Sequence, residues 1–220
     1  MTEKQYIHST GNLNSDADQT DSWARAEIMR AAAELFMQFG YAATSVDAIA
    51  ASLGATKGHF YYHYRSKADL FFNIQTLAMT RLLEQIRPIA LGKQPVMKRL
   101  EAMALRHTEI LLTDFSIMKV VVQGLERHLF SSPGAMRQLR AIIKLRDGYE
   151  QIFAEVIDEG IRKGLVIDLP AKLLTKAFFG TMNWAMVWYS PRRLQTPKAV
   201  KEIAKVLAGC ALRGVARRAG

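Results

Sequence analysis

Seven consecutive residues, Lys57 to His63, combine side chains that can bind both the backbone and the bases of DNA. They read Lys-Gly-His-Phe-Tyr-Tyr-His. A helix that enters the major groove needs phosphate donors at its flanks, a small residue where its backbone nears the bases, and side chains that reach base edges. Lys57 and the free amide groups of a helix N-terminus supply donors, and Gly58 removes a Cβ that would hold the duplex off. This stretch is therefore predicted to be a recognition helix.

The aromatic residues of the stretch divide between a buried and an exposed role. An aromatic cluster at helical spacing is more often core than contact surface, and Phe60 fits that interpretation. Four aromatic residues and two histidines within residues 57–64 are, however, too many for one short helix to bury. We therefore expect a set that faces DNA: Thr56 and His59 in the groove, and Tyr61, Tyr62 and His63 toward groove and backbone.

The preceding residues predict two helices that would hold the recognition helix in place. Apolar residues at spacings of three and four predict a first helix from Ser22 to Gly40. Thr44, with Asp47 three positions later, is a capping signature that predicts a short second helix ending at Gly54.

The third and fourth helices have capping residues of their own. Thr56 can cap the recognition helix, and Ser66 with Asp69 predicts a longer helix from Lys67 to about residue 87. Lys67, at that helix N-terminus, adds a second phosphate contact. Two short helices joined by a tight glycine-containing turn and braced by a longer one describe a helix-turn-helix module.

The rest of the chain is also expected to be helical. Strand-like alternation is confined to residues 165–169, which predicts an all-α protein with an N-terminal three-helix head and a larger helical body. Residues 1–21 are polar and acidic and are expected to be a disordered tail, residues 22–70 the head, and residues 71–220 the body. The helices predicted in the body cover 96–112, 115–130, 134–163, 170–189 and 197–216.

The amino-acid composition excludes several classes of protein. Of 220 residues, 50% are hydrophobic and 23% charged, which excludes a disordered or fibrous chain. The net charge of +10 is unevenly distributed. Residues 1–70 contain six lysine and arginine residues and eight acidic residues, whereas residues 71–220 contain 24 basic and 12 acidic residues. With one cysteine, a polar N-terminus and no long apolar run, the protein is expected in the cytoplasm, without a membrane segment.

The head resembles the DNA-binding domain of TetR-family transcriptional regulators over residues 24–71. The resemblance implies a cytoplasmic homodimer that binds a palindromic operator, usually as a repressor, and releases it when a small ligand binds the helical body. His59 departs from the small hydroxyl or aliphatic residue common at its position, so the operator sequence does not transfer. The motifs are Arg-Ala-Glu-Ile-Met-Arg-Ala-Ala-Ala-Glu-Leu-Phe, Phe39-Gly40-Tyr41, Thr44-Ser45-Val46, Ile49-Ala50, Leu53-Gly54, Lys57-Gly58, 60–64 and 66–70. The DNA contacts carried over are Thr44, Ser45, Thr56, Lys57, Gly58, His59, Tyr61, His63 and Lys67.

The last two long helices are apolar enough to form a dimer interface. Residues 170–189 are apolar nearly all round, and two such helices from each chain make a four-helix interface, which agrees with the family. The pattern of Asn183-Trp184, Trp188-Tyr189 and residues 159–164 resembles a TetR subgroup that regulates lipid or steroid catabolism, with some members answering to acyl-coenzyme A thioesters.

An acyl-CoA-type effector requires an apolar cavity with a basic mouth, and the positive body fits that requirement. An uncharged or cationic hydrophobic effector is the alternative, and the Trp184 and Trp188 face could equally be the dimer seam. The residues proposed for the lining are Met118, Phe153, Trp184 and Trp188, and those for the mouth are Arg140, Lys144 and Arg146.

Other classes of function have weaker support. His59 and His63 have the spacing of a zinc-binding pair, but the usual glutamate and a third ligand are missing, so no metal site or cofactor is expected. No catalytic motif is present, so we expect no enzyme; the alternative is a helical small-molecule-binding protein or an enzyme without DNA function. DNA binding in a gel would separate these. Cys210 is expected to be buried, and His107 to be a surface or satisfied core histidine.

Overall fold

A computed structural model of the chain describes residues 10–122, 132–191 and 196–217, with side chains from residue 21 onward. The fold predicted from the sequence is confirmed, since these ranges are nearly all helical and contain no strand. The chain divides into two compact units, Met1–Phe71 and Phe72–Gly220. Within the described ranges, no helix is long and apolar enough to cross a membrane.

The first unit contains three helices and the start of a fourth. The helices are α1 (Thr10–Ala43), α2 (Val46–Ser52), α3 (Lys57–His63) and α4 (Lys67–Ala90). Helix α1 is kinked at Gly40, whose φ of 82° lies in the left-handed region that favours glycine. Its apolar side faces the core, which contains Ile28, Ala32 and Phe36.

Two expectations for the first unit are corrected. The backbone of residues 10–21 is helical, which differs from the disordered tail expected over residues 1–21, and residues 1–9 of that expectation lie outside the described residues. Extending an existing helix costs far less than nucleating one, so a polar segment can continue it. Ser45, not Thr44, caps α2 by accepting a hydrogen bond from the Ala48 amide at 3.0 Å. Thr44 is buried and its hydroxyl instead donates to the Gly40 carbonyl at 2.8 Å.

The second unit is a bundle that continues from α4. Its helices are α5 (Val96–Thr113), α6 (Phe115–Val122), α7 (Pro133–Arg162), α8 (Ala171–Asn183), α9 (Ala185–Trp188) and α10 (Pro197–Val215). The segment predicted as one helix over 170–189 is divided at Trp184, and the alternation at 165–169 yields only an isolated bridge between Val166 and Ala216. Cys210 is exposed on α10, so its expected burial is wrong in the single chain.

Candidate nucleic-acid interface and body cavity

The recognition helix α3 is positioned by side-chain caps and by one glycine. Thr56 accepts a hydrogen bond from the His59 amide at 3.4 Å, as the capping pattern predicts. Gly54 has a φ of 62° in the turn that joins α2 to α3, a conformation that most side chains disfavour. The local sequence therefore fixes both where α3 begins and how the chain enters it.

Helix α3 buries one aromatic residue and exposes its neighbours. Phe60 is buried, whereas Tyr61 and Tyr62 are 50% and 81% exposed. Thr56, Lys57, Gly58 and His59 are exposed as well. For these residues, but not for His63, the distribution agrees with the division between core and contact surface made from the sequence.

Gly58 is not required by the packing of the first unit. A Cβ built on Gly58 would meet only the Thr56 hydroxyl oxygen, at 3.6 Å, which is an ordinary van der Waals contact. Its φ is not positive either. A glycine in a helix costs about 0.5–1 kcal/mol relative to alanine, and here neither the backbone conformation nor the packing calls for it.

Lys57 is held by an acidic neighbour on α2. Its ammonium donates to the Asp47 carboxylate at 2.9 Å, and both side chains are exposed. The hydrogen bond to Asp47 raises the pKa of Lys57. A phosphate oxygen approaching Lys57 would replace or join this carboxylate.

Lys67 has a structural role besides its predicted contact with phosphate. Its ammonium donates to the Tyr41 carbonyl at 2.7 Å and to the Thr44 carbonyl at 2.6 Å, with the Ala42 carbonyl at 3.4 Å. Burial lowers the pKa of this amine. The lysine thus satisfies carbonyls at the carboxyl end of α1, and a phosphate would compete with them for the same hydrogens.

His63 lies on the buried side of α3, although the sequence placed it toward DNA. Its Nδ1 is 2.9 Å from the Asp21 carboxylate without hydrogen-bond geometry, and its ring contacts that of His59 at 4.9 Å. The seventh position of a helix that begins at Lys57 returns to the face of Phe60, which explains the burial of His63. No group of three potential metal ligands occurs in the described part of the chain.

The end of α3 is braced by α1 through two residues that the sequence analysis did not single out. Arg25 donates to the His63 carbonyl at 2.6 Å and lies over the Tyr64 ring at 4.6 Å. The Tyr64 hydroxyl donates back to the Arg25 carbonyl at 3.1 Å. Burial raises the pKa of Tyr64 to about 12. Arg25 and Tyr64 both belong to the quoted motif, which was the available signal.

The second unit contains a cavity of about 80 Å³ with apolar and polar walls. Part of its polar wall is a buried hydrogen-bonded chain in which His107 Nδ1 lies 2.8 Å from the Tyr149 hydroxyl and Nε2 lies 3.0 Å from Asn183 Oδ1. Burial lowers the pKa of His107 to about 4, so the imidazole is neutral near pH 7. Arg146 and Glu150 also line the cavity, and the apolar lining consists of Met79, Leu82, Leu111, Val121, Val122 and Phe179.

The residues proposed for the effector site are not brought together as expected. Of the seven, Arg146 lines the cavity, while Phe153 is buried behind the wall, 4.7 Å from the ring of Phe179. Trp184 and Trp188 are 63% and 47% exposed and lie outside the cavity wall, because the helix is divided at Trp184 and the preceding Asn183 occupies the wall. Met118 is buried in α6, and Arg140 and Lys144 are exposed on α7.

His107, Tyr149 and Asn183 were not recognised as parts of one site. They come from α5, α7 and α8 and are separated by 42 and 76 residues, so no local spacing relates them. The exposed apolar residues of α8, α9 and α10 form a separate set that the cavity does not use: Leu173, Trp184, Val187, Trp188 and Val206.

Both units match described families. Residues 28–74 match "Bacterial regulatory proteins, tetR family", and residues 93–215 match "Tetracyclin repressor-like, C-terminal domain". A fatty acid metabolism regulator protein of Bacillus subtilis is 26% identical over 158 residues, covering 71% of this chain and 78% of its own.

Two further relatives cover most of the chain. The HTH-type transcriptional repressor KstR2 of Mycobacterium tuberculosis is 26% identical over 195 residues, which is 87% of this chain and 94% of the repressor. The crystal structure of AibR in complex with isovaleryl coenzyme A and operator DNA superimposes with a TM-score of 0.68 at 24% identity, covering 85% of this chain and 97% of that one.

Proposed function

The chain belongs to the TetR family of DNA-binding transcriptional regulators, not to a family of enzymes, and on that basis we propose that it is a ligand-responsive repressor. In the proposed cycle, a homodimer binds a palindromic operator and leaves it when a small hydrophobic or acyl-CoA-type effector binds the body. The observation that carries the DNA-binding role is the exposed end of α3, where Gly58 lies among polar side chains without any packing need for a glycine.

We divide the contacts of the first unit by their chemistry. Lys57 contacts phosphate, and such a contact adds affinity for every DNA sequence. His59 reads a base edge, and Tyr61 and Tyr62 contact the backbone and groove wall. Thr44 is proposed only as a support, since its hydroxyl is turned inward, and Ser45 places the N-terminus of α2 toward phosphate while capping it.

The homodimer is proposed from the unpartnered apolar residues of α8, α9 and α10. Trp184, Val187 and Val206 are more than half exposed in the single chain. Large exposed apolar side chains on neighbouring elements mark interaction sites, and a two-fold axis would match the two halves of a palindromic operator. Because a bacterial operator lies on DNA in the cytoplasm, we place the protein there.

The effector is proposed from the cavity and the relatives together. The Bacillus relative is a fatty acid metabolism regulator, and AibR, which has the same fold, has been solved with isovaleryl coenzyme A and operator DNA. Arg140 and Lys144 are exposed on α7, the helix that also supplies Arg146 to the cavity. An uncharged hydrophobic effector would use the apolar wall alone.

The proposal is tested in two steps. DNA fragments bound by the purified protein are selected, and the enriched sequence is mapped on the genome of origin and confirmed by footprinting. Effectors are then titrated into the protein–operator complex while release is followed. Discrete palindromic sites support the regulator, and DNA binding without any site preference contradicts it.

A further inference from the structure

The buried chain of His107, Tyr149 and Asn183 has a single direction of hydrogen bonding. Asn183 presents its carbonyl oxygen to His107 Nε2, so the imidazole carries its hydrogen on Nε2 and donates to that oxygen. A neutral imidazole carries one hydrogen only, so Nδ1 is an acceptor and the Tyr149 hydroxyl donates to it. In this arrangement the Tyr149 hydroxyl, the imidazole and the Asn183 carbonyl oxygen form one continuous chain of hydrogen bonds.

This orientation leaves the amide nitrogen of Asn183 as a donor at the cavity wall. Both hydrogens of Nδ2 have no acceptor within the described part of the chain, and Asn183 is partly accessible from the cavity. Arg146 lines the same cavity and has no carboxylate within ion-pair distance in the described ranges, whereas Glu150 is paired with Lys176. Among the described lining residues, Asn183 and Arg146 therefore offer donors, and the one carboxylate, that of Glu150, already carries an ion pair.

The remaining wall is apolar, formed by methionine, leucine, valine and phenylalanine side chains. An apolar ligand that carries an ammonium group would have to share the Glu150 carboxylate with Lys176 and would meet the positive charge of Arg146. An apolar ligand with an acceptor oxygen would satisfy the Asn183 amide, and one that also carries a carboxylate or phosphate would place negative charge beside the guanidinium.

We propose that Asn183, oriented by His107 and Tyr149, binds the carbonyl oxygen of an acyl group, and that Arg146 binds the anionic group of the same ligand, which is the carboxylate of a free acid or a phosphate of coenzyme A in an acyl-CoA thioester. This acyl-carbonyl site rests on the proposed function, because it assigns the chemistry of the effector that would release the operator. His107 and Tyr149 are positioning residues in it, and Asn183 is the residue that contacts the ligand.

The size of the cavity determines which test ligands are suitable. Its volume of about 80 Å³ holds several water molecules but is smaller than the roughly 300–1,000 Å³ of typical drug-sized sites. A short acyl chain is therefore the appropriate test ligand. The probes are hexanoate, hexanoyl-CoA, methyl hexanoate and hexylammonium, which share one chain length and differ in charge and in acceptor oxygens.

Binding of each probe to the full-length protein is measured by isothermal titration calorimetry without DNA. We expect hexanoate or hexanoyl-CoA to bind, the stronger of the two identifying the source of the acyl group, and hexylammonium not to bind. The substitution Asn183→Leu should lower the affinity for acyl probes roughly tenfold, as expected for the loss of one hydrogen bond in a partly enclosed site. Thr181→Val is the matched control, because Thr181 lies on the same helix, outside the cavity lining, with its hydroxyl bonded to Ala177.

Two further variants separate a binding role from a folding defect. Asn183→Asp keeps the acceptor for His107 but replaces the Nδ2 donor with a charged acceptor, so it should lose hexanoate and gain hexylammonium. Tyr149→Phe removes the hydroxyl that donates to the imidazole, so the preference for methyl hexanoate over hexylammonium should shrink. A structural defect alone would weaken every probe alike.

The acyl-carbonyl site is overturned if hexylammonium binds the wild-type protein as well as hexanoate does, if no acyl probe binds, or if Asn183→Leu keeps acyl affinity within about twofold. None of these results touches operator binding, which is measured separately with the selected DNA. If the protein binds the acyl probes but selects no operator DNA, the proposed function is contradicted and the acyl-carbonyl site is not.

Discussion

Replacing Gly58 with alanine should separate the stability of the protein from its affinity for DNA. The substitution adds one methyl group to an exposed position of α3, with only the Thr56 hydroxyl oxygen nearby at 3.6 Å. Because alanine favours a helix over glycine by about 0.5–1 kcal/mol, we expect Gly58→Ala to be slightly more stable than the wild type. A packing role for Gly58 would predict the opposite sign.

The same methyl group should weaken DNA binding. If the α3 backbone approaches the bases at Gly58, a Cβ there displaces it and disturbs at least one base or phosphate contact. Such a contact contributes about 1–3 kcal/mol, so the affinity for operator DNA should fall roughly 5- to 150-fold. Thermal unfolding measures the first effect, and fluorescence anisotropy of a labelled operator at fixed salt measures the second.

Gly148→Ala is the matched control for this experiment. Gly148 is exposed within α7, and a Cβ built on it meets no atom within 4 Å. It should gain stability by a similar amount and leave operator affinity unchanged. If Gly58→Ala binds the operator as tightly as the wild type, or if both variants lose affinity equally, α3 does not present its backbone to DNA at Gly58.

Three further predictions follow from the two units. Lys57→Ala should weaken binding to all DNA sequences alike and lower the salt dependence by about one counterion, seen as a reduced slope of log affinity against log salt; a change in sequence preference would contradict a phosphate contact. His59→Ala should instead relax preference at one base position of each half-site, measured by repeating the DNA selection, and a uniform loss would contradict base readout. Burial lowers the pKa of His107 to about 4 in the folded chain, against 6.5 ordinarily. The neutral imidazole therefore contributes fully to stability above pH 6.5. As the pH falls toward 4, the free energy of unfolding should decrease by about 3 kcal/mol. Urea unfolding at pH 7 and pH 4 should show that loss in the wild type and much less of it in His107→Gln, and an equal loss in both would refute it.

The head could be predicted from sequence because local rules determine most of it. The caps at Thr56 and Ser66 depend on residues three positions away, and both are present. The cap of α2 was misplaced by one residue because Thr44 and Ser45 can both cap a helix. The choice between them depends on the Gly40 and Leu35 carbonyls, which draw the Thr44 hydroxyl inward.

Lys67 illustrates a contact that the sequence could not reveal. A lysine at a helix N-terminus next to a DNA-binding segment suggests phosphate, and that prediction stays open. The carbonyls that surround its ammonium belong to residues 41, 42 and 44, which lie more than 20 positions earlier in the chain. Its effect on DNA binding therefore has to be measured beside its effect on stability.

The body was harder to predict because its site is assembled from distant helices. The size and spacing of Trp184 and Trp188 predict a cavity lining, yet size does not determine which side of a helix faces a cavity. Asn183, the smaller neighbour of Trp184, is partly buried because His107 supplies a hydrogen-bond partner from α5. A buried amide needs such a partner, and once it is held, its remaining donors are available to a ligand. The same contact that makes Asn183 tolerable inside the bundle is thus the one that orients its amide for binding.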